Sequence, residues 1–267
     1  SAGRVGEAIP LFEEVLAERV RVLGPDHPDT LASRNNLAVA YESVGRLGEA
    51  IPLFEEVAAD QVRVLGPEHP DTLFSRYNLA GAYRSAGRVG EAIPLYEKVL
   101  ADRVRVLGPD HPDTLTSRNN LAGAYELAGR LGEAIALFEE ALADCVRVLG
   151  ADHPDTLNLR NNLAGACYAA GRVDEAIALF KEVLADSLRV LGPDHPDTLA
   201  SRNNLASAYY AAGRVDEAIA LFEEVLADSL RVLGPDHPST LASRRNLEAA
   251  RRARESGSAS SPETGEA

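Results

Sequence analysis

Repetition constrains this chain more than any other feature. The phrase LGPDHPDTLASRNNLA, which opens at Leu23, returns with small changes at Leu65, Leu107, Leu149, Leu191 and Leu233, always 42 residues on. A fixed period of this length marks one supersecondary unit per copy, and such a unit buries its apolar side only by stacking on its neighbours. Residues 1–255 are therefore read as one array and not as two globular domains.

Taken alone, Asp26, His27 and Asp29 among prolines, with Thr30 and Ser33 behind them, look like a catalytic loop. Sixfold recurrence argues against this, because a catalytic site is singular and draws converging groups from distant segments. No enzyme activity is expected, and no metal or cofactor. Histidines of neighbouring copies stand about a helix pair apart, at about 8 to 10 Å per helix, whereas each zinc ligand must come within about 2 Å of the ion. A Gly-rich phosphate loop with its lysine is also missing.

The periodicity inside one copy gives two helices. Pro28 to Val44 places Leu31, Leu37, Ala38 and Tyr41 at helical spacing and ends at Gly45-Arg46, which makes helix A. Leu47 to Leu65 places Ala50, Ile51, Phe54, Val57 and Ala58 on one stripe, with Glu49, Glu56 and Arg63 opposite, which makes helix B. The GPDHP loop then has structural work. Gly24 leaves helix B with positive φ, Pro25 stops the helix, Asp26 or His27 caps the next one, and Pro28 occupies its first turn. Asp29 complements the dipole of the new helix, as Arg21 does at the end of the old one. Pro10, Pro52 and Pro94, early in three B helices, are expected to bend them without breaking them.

Forty-one acidic against 27 basic residues, a formal charge of -14, argues against nucleic acid as partner, since binding a phosphate backbone relies on clustered Lys and Arg. No run of about 18 apolar residues is present, so no membrane span is expected, and no secretory leader is recognised. Cys145 and Cys167 stand where sibling copies carry Ser187 and Tyr209, and they read as incidental substitutions and not as a disulfide framework. A cytoplasmic location follows.

Leu37-Ala38-x-x-Tyr41, then Gly45, then Ala50-x-x-x-Phe54, repeated through the chain, resembles the tetratricopeptide repeat in its 42-residue, kinesin light chain-like variety. The composition, rich in Ala, Val, Leu, Gly and Arg, is similar to that of actinobacterial proteins. The resemblance implies an all-α fold, a right-handed alpha-solenoid of antiparallel helix pairs, with the A helices lining a concave groove. It also implies a protein-protein interaction module that binds a peptide or protein segment. Similar bacterial arrays often lie beside a signalling ATPase, which makes this chain the sensor or scaffold part of a longer protein. One departure is the row Arg34, Arg76, Arg118, Arg160, Arg202 and Arg244, where the family often has Trp. These arginines are expected to bridge to acidic groups of an adjacent helix.

The order of helices is a lone B helix (about 5–23), five A-B pairs (about 28–233), a last A helix (about 238–254) and a disordered tail at 256–267. The chain thus reads as beginning in mid-repeat. Glu248 and Arg251 replace the small and tyrosine positions of the last A helix, which makes a polar cap. At the other end Ile9, Phe12 and Val15 are expected to be partly uncovered, so that the chain self-associates there.

The face of helix A opposite Leu37 is taken to be positions 32, 35, 39 and 42 of each copy, at about 100° per residue. The row at position 35 is mostly amide, with Asn35, Asn119, Asn161 and Asn203, which suits a peptide backbone because Asn both donates and accepts. The second copy differs. Phe74, Tyr77 and Arg84 fall on one face and resemble an interface hot spot. Glu126, Tyr168 and Tyr210 complete the candidate binding set. The alternative is a structural or self-assembling scaffold with no dedicated groove ligand.

Overall fold

The computed structural model describes residues 2–259. Among the described residues there are twelve α-helices and no strand. The chain divides into two compact units, Ser1–Ala134 and Ile135–Ala267. The first holds α1 (Ala2–Leu23), α2 (Pro28–Ser43), α3 (Leu47–Val64), α4 (Pro70–Ser85), α5 (Val89–Leu107) and α6 (Pro112–Leu127). After α7 (Leu131–Leu149), which crosses the division, the second holds α8 (Pro154–Ala169), α9 (Val173–Val190), α10 (Pro196–Ala211), α11 (Val215–Val232) and α12 (Pro238–Ala259). Even-numbered helices are the A helices of the repeat and odd-numbered ones the B helices.

Within each unit consecutive helices pack on one another, and A helices also touch across the intervening B helix, α2 with α4 and α10 with both α8 and α12. The apolar stripes meet as their spacing predicts. In the first unit Leu37, Ala38 and Tyr41 of α2 close on Ala50, Ile51 and Phe54 of α3, with Leu79 of α4 beside them. In the second, Ala206 of α10 and Leu247 and Ala250 of α12 enclose Ala218, Ile219 and Phe222 of α11. Phe54 is wholly buried. Burying such a side chain contributes roughly 2 to 3 kcal/mol. The small Ala38, Ala80 and Ala206, also wholly buried, let the helix backbones approach.

The connecting loops confirm the reading of GPDHP and sharpen it. His27, at φ -66° and ψ 137°, is the N-cap of α2, and its Nδ1 accepts the backbone N–H of Asp29 at 3.2 Å. His69, His111, His153, His195 and His237 do the same. The cap is therefore the histidine, and the neighbouring acid has a different role. Asp26 takes two hydrogen bonds from Arg63 at the end of α3, at 3.0 and 2.6 Å, and so ties one loop to the next B helix. Gly66 takes φ 96° between α3 and Pro67, a conformation that costs a residue with a Cβ about 1 kcal/mol or more.

The B helices α3, α5, α9 and α11 start without a side-chain cap. Arg46 instead holds Glu49 through its Nε at 2.6 Å and lies over the Tyr41 ring at 4.4 Å, which fixes the tight A-to-B turn. Pro10, Pro52 and Pro94 sit inside unbroken helices.

Two expectations about the ends are corrected. Ile9 is buried, at 4% exposure, because it faces Leu37 and Ala38 of α2 and not the uncovered side. Phe12 and Val15 do remain open, at 36% and 40%, where their counterparts Phe54 and Val57 are fully covered. At the other end α12 runs through Ala259, four residues into the expected tail, and residues 260–267 lie outside the described residues. Glu248 and Arg251 are exposed, and Arg251 bonds Glu223 at 2.8 Å, in the place where Tyr41 bonds Glu13 at 2.7 Å.

Candidate functional site

The free face of the A helices is centred differently from the sequence expectation. In α2 the exposed line is Ala32, Asn36, Val39 and Ser43, while Asn35 is buried at 3% and Glu42 is half-buried. Positions 32, 36, 39 and 43 span about 60° on a helix wheel, whereas 35 and 42 lie about 60 to 80° from position 32, to one side. That side faces the next A helix.

The amide row is therefore corrected from a free ligand ladder to a seam between A helices. Asn35 Oδ1 accepts from Ser75 Oγ at 3.1 Å and from Asn78 Nδ2 at 3.4 Å, both on α4. Asn161 Oδ1 accepts from Asn204 Nδ2 at 3.1 Å, and Asn203 Oδ1 accepts from Asn246 Nδ2 at 3.4 Å. Asn119 is half-buried at the equivalent position. The donors Asn78, Asn204 and Asn246 all occupy the position that follows the Asn35 position of the repeat, a role that sequence reasoning missed although an asparagine stands there in every copy. These bonds satisfy polar groups that the close approach of two A helices would otherwise strand.

The second copy's set is divided in the same way. Phe74 is exposed at 48%. Tyr77 instead packs inward, its ring edge-on to Tyr96 at 5.8 Å and beneath the Arg103 guanidinium at 4.7 Å, while Asn120 donates to its hydroxyl. Arg84 donates to Asn120 Oδ1 at 3.2 Å. Tyr77 and Arg84 are thus engaged in holding α4 to α6 and are not presented to a ligand. Burial pushes the Tyr77 hydroxyl up and carries that of Tyr96 to about 12, so both stay protonated donors at neutral pH.

What the exposed face of the A helices does offer is apolar. Val39 (40% exposed), Phe74 and Leu127 (64%) stand out in the first unit, and Tyr168 (39%) and Tyr210 (38%) in the second. Leu127 was missed because it occupies position 43 of its copy, just outside the expected set. Half-buried Gly81 and Gly123 keep the floor between such residues low. Glu42 and Glu126, half-buried at the edge, are raised above the ordinary carboxylate value by desolvation, which Ser85 and Arg84 partly offset at Glu42.

The arginine row bridges as expected at Arg34, Arg160 and Arg202, while Arg76 stands 4.0 Å from Asp102 and donates to the Pro67 carbonyl oxygen at 3.3 Å. Arg34 reaches Asp60 at 2.9 Å and Arg202 reaches Asp228 at 2.7 Å, each from an A helix to the B helix of its own pair, and Arg160 pairs with Asp186 likewise. Cys145 and Cys167 are buried thiols, with burial pushing Cys167 up to about 11. No helix among the described residues is long and apolar enough to cross a membrane.

Helix pairs of one length, stacked through small residues and repeated in register, define the all-α class of helical-hairpin solenoids. The tetratricopeptide repeat profile matches residues 1–60, 44–103, 77–144, 128–189, 155–230 and 202–259, and the chain belongs to that family. Tetratricopeptide repeats are in general protein-protein interaction modules and typically non-enzymatic scaffolds. Among solved structures, a Podosopora anserina putative kinesin light chain with nearly identical TPR-like repeats is 40% identical, with a TM-score of 0.70 over 77% of this chain and 97% of that one. BtubC (BKLC) from P. vanneervenii is 20% identical, with a TM-score of 0.66 over 98% and 96%. A signal transduction ATPase with numerous domains and a tetratricopeptide repeat sensor, from Pyrococcus horikoshii, is 16% identical, with a TM-score of 0.71 over 91% of this chain and 36% of that one. Comparison with curated proteins gives no match.

Proposed function

We propose that the chain is a peptide-binding module whose A helices receive an extended segment of another protein. The observation that carries this reading is the exposed apolar side chains on the A helices of each unit, Phe74 and Leu127 on α4 and α6 of the first and Tyr168 and Tyr210 on α8 and α10 of the second. Aromatic anchors on an exposed helix face favour a partner. The polar seam of Asn35, Asn161 and Asn203 makes the platform rigid beneath them. The charge of -14 favours a cationic or neutral polypeptide over nucleic acid. Buried thiols accord with a cytoplasmic setting. The sensor of the Pyrococcus horikoshii ATPase supports placing this chain as the sensor or scaffold part of a longer signalling protein. The test is a random-peptide display screen against the chain, repeated with Phe74→Ala/Leu127→Ala and with Tyr168→Ala/Tyr210→Ala. Binders are expected that both double variants weaken at unchanged helicity, and a screen that enriches nothing overturns the reading.

A second reading is favoured by one observation. Phe12 and Val15, with Leu11 at 62% exposure, line an open cavity of about 260 Å³ against Ser33 and Asn36. On this reading a second copy covers that face and the chain is a self-assembling scaffold. Sedimentation velocity decides: concentration-dependent association that Phe12→Ser abolishes supports it, and a monomer at all concentrations removes it.

A further inference from the structure

The position occupied by Arg19 and Arg103 is Gln61 in the remaining copy of the first unit and Cys145, Ser187 and Ser229 in the second. Arg103 is buried at 3% exposure, and its Nη1 donates to the Asp113 carbonyl oxygen at 2.9 Å and to Ser117 Oγ at 2.8 Å, both at the start of α6. Arg19 makes the same two bonds to Asp29 O and Ser33 Oγ, each at 2.8 Å. In the second unit the matching acceptors are intact. Ser201 Oγ donates to Asp197 O at 2.8 Å, as Ser117 does to Asp113 and Ser33 to Asp29 at 2.9 and 3.0 Å, which leaves the same lone pairs turned to the same place. The arginine is gone, as is the aromatic ring that covers Arg103, and a cavity of about 280 Å³ lies there among α8, α9 and α10, its lining including Asn158, Asn161, Ser187, Asp197 and Ser201.

We propose that this cavity is a receptor for an arginine side chain of the bound peptide. The inference rests on the reading of the inner face as a peptide site and names one specificity element within it. Asn158 and Ala200, both exposed on the inner face, border the opening, so a side chain from a segment lying along the A helices enters from solvent. Its guanidinium then reaches from outside the acceptor pair that Arg103 reaches from within. Asn161 stands where the Tyr77 ring covers Arg103, and its Oδ1, which takes one bond from Asn204, has a second lone pair for an N–H of the guest. The dipole at the start of α10 opposes a cation, but Asp197 in that first turn offsets it, and Arg19 and Arg103 occupy equivalent helix starts. A planar fork with several donors suits three separated acceptors better than a lysine ammonium does.

The experiment pans a random heptapeptide library against the full chain and against Ser187→Arg, and measures peptide affinity by calorimetry. Peptides enriched in one arginine are expected from the wild type. Replacing that arginine by citrulline or lysine should weaken binding at least about tenfold, in line with loss of charge-assisted hydrogen bonds. Ser187→Arg should fill the cavity internally, abolish the arginine preference and hold or raise Tm. Binders without arginine enrichment, equal affinity for the citrulline or lysine peptide, or an arginine preference that survives in Ser187→Arg overturn the inference while the groove reading stands. A Tm that falls by several degrees in Ser187→Arg also overturns it, because the cavity would then not accept a guanidinium. A library that enriches nothing overturns both.

Discussion

The Arg202 guanidinium donates to Asp228 Oδ2 at 2.7 Å, joining α10 to α11, while Arg231 holds the other oxygen of the same carboxylate at 3.0 Å. The family's usual tryptophan position is thus filled in α2, α8 and α10 by an ion pair that clips the A helix to its B partner. With Arg202 only 11% exposed, its removal leaves a poorly solvated Asp228 that retains a single cation. Arg202→Ala is expected to destabilise the chain by about 1 to 2 kcal/mol, above a surface pair and below a buried isolated charge. Urea denaturation followed by circular dichroism, with Asp228→Ala completing a double-mutant cycle, measures the coupling; additivity of the two changes would show that the clip contributes nothing.

Acid should loosen the array through the same carboxylates. Hydrogen bonds from Arg63, Arg189 and Arg231 hold Asp26, Asp152 and Asp194 below the ordinary aspartate value, and Arg231 does so for Asp228. A carboxylate with a depressed folded-state pKa contributes stability above the unfolded value, about 4, and loses it as the pH falls through the lower folded value. Glu42 and Glu126 have the opposite sign, since burial raises them and protonation relieves their desolvation. Thermal melts should therefore show little change between about pH 7 and 5 and a fall below about pH 4. Asp194→Asn should be less stable at neutral pH and fall less steeply in acid. A variant whose acid limb parallels the wild type would remove Asp194 from this account.

The histidine of each loop acts as a helix cap through an unprotonated Nδ1. His69→Ala leaves the Asp71 N–H without its 3.2 Å acceptor and is expected to cost about 1 kcal/mol, whereas His69→Asn supplies a capping oxygen and recovers most of it. Denaturation midpoints of the two variants test this. Equal loss in both would mean that the imidazole matters through something other than the cap.

Much of the fold was legible because the period supplied six readings of every position. A-B pairing, the glycine and proline punctuation, and the arginine bridges follow from local rules applied to that period. The site was read less well because it depends on phase: Asn35 and Tyr77 lie only about 60° from the exposed line, and a helix wheel does not say on which flank the next A helix packs. Ile9 failed for the same reason, since it was grouped with Phe12 and Val15 although it turns toward α2. Ser187 marked the cavity in the second unit, but a serine in an amphipathic helix signals nothing until the buried Arg103 of another copy shows what the position can hold.

Phe74 and Tyr77 provide the sharpest separation of binding from packing. They are three residues apart on α4 and both aromatic, yet Phe74 is exposed at 48% while Tyr77 lies against Tyr96 and Arg103. Tyr77→Ala would open space beside the Tyr96 ring, leave Asn120 without its hydroxyl and uncover the Arg103 guanidinium. It is expected to destabilise the chain by about 2 to 3 kcal/mol. Phe74→Ala should stay within about 0.5 kcal/mol of the wild type, because it removes only solvated surface. Peptide affinity should follow the reverse order, with Phe74→Ala the more harmful at a temperature where both variants are folded. Urea midpoints and titration of one selected peptide check both halves, and a Tyr77→Ala variant that is stable but cannot bind would return Tyr77 to the ligand surface.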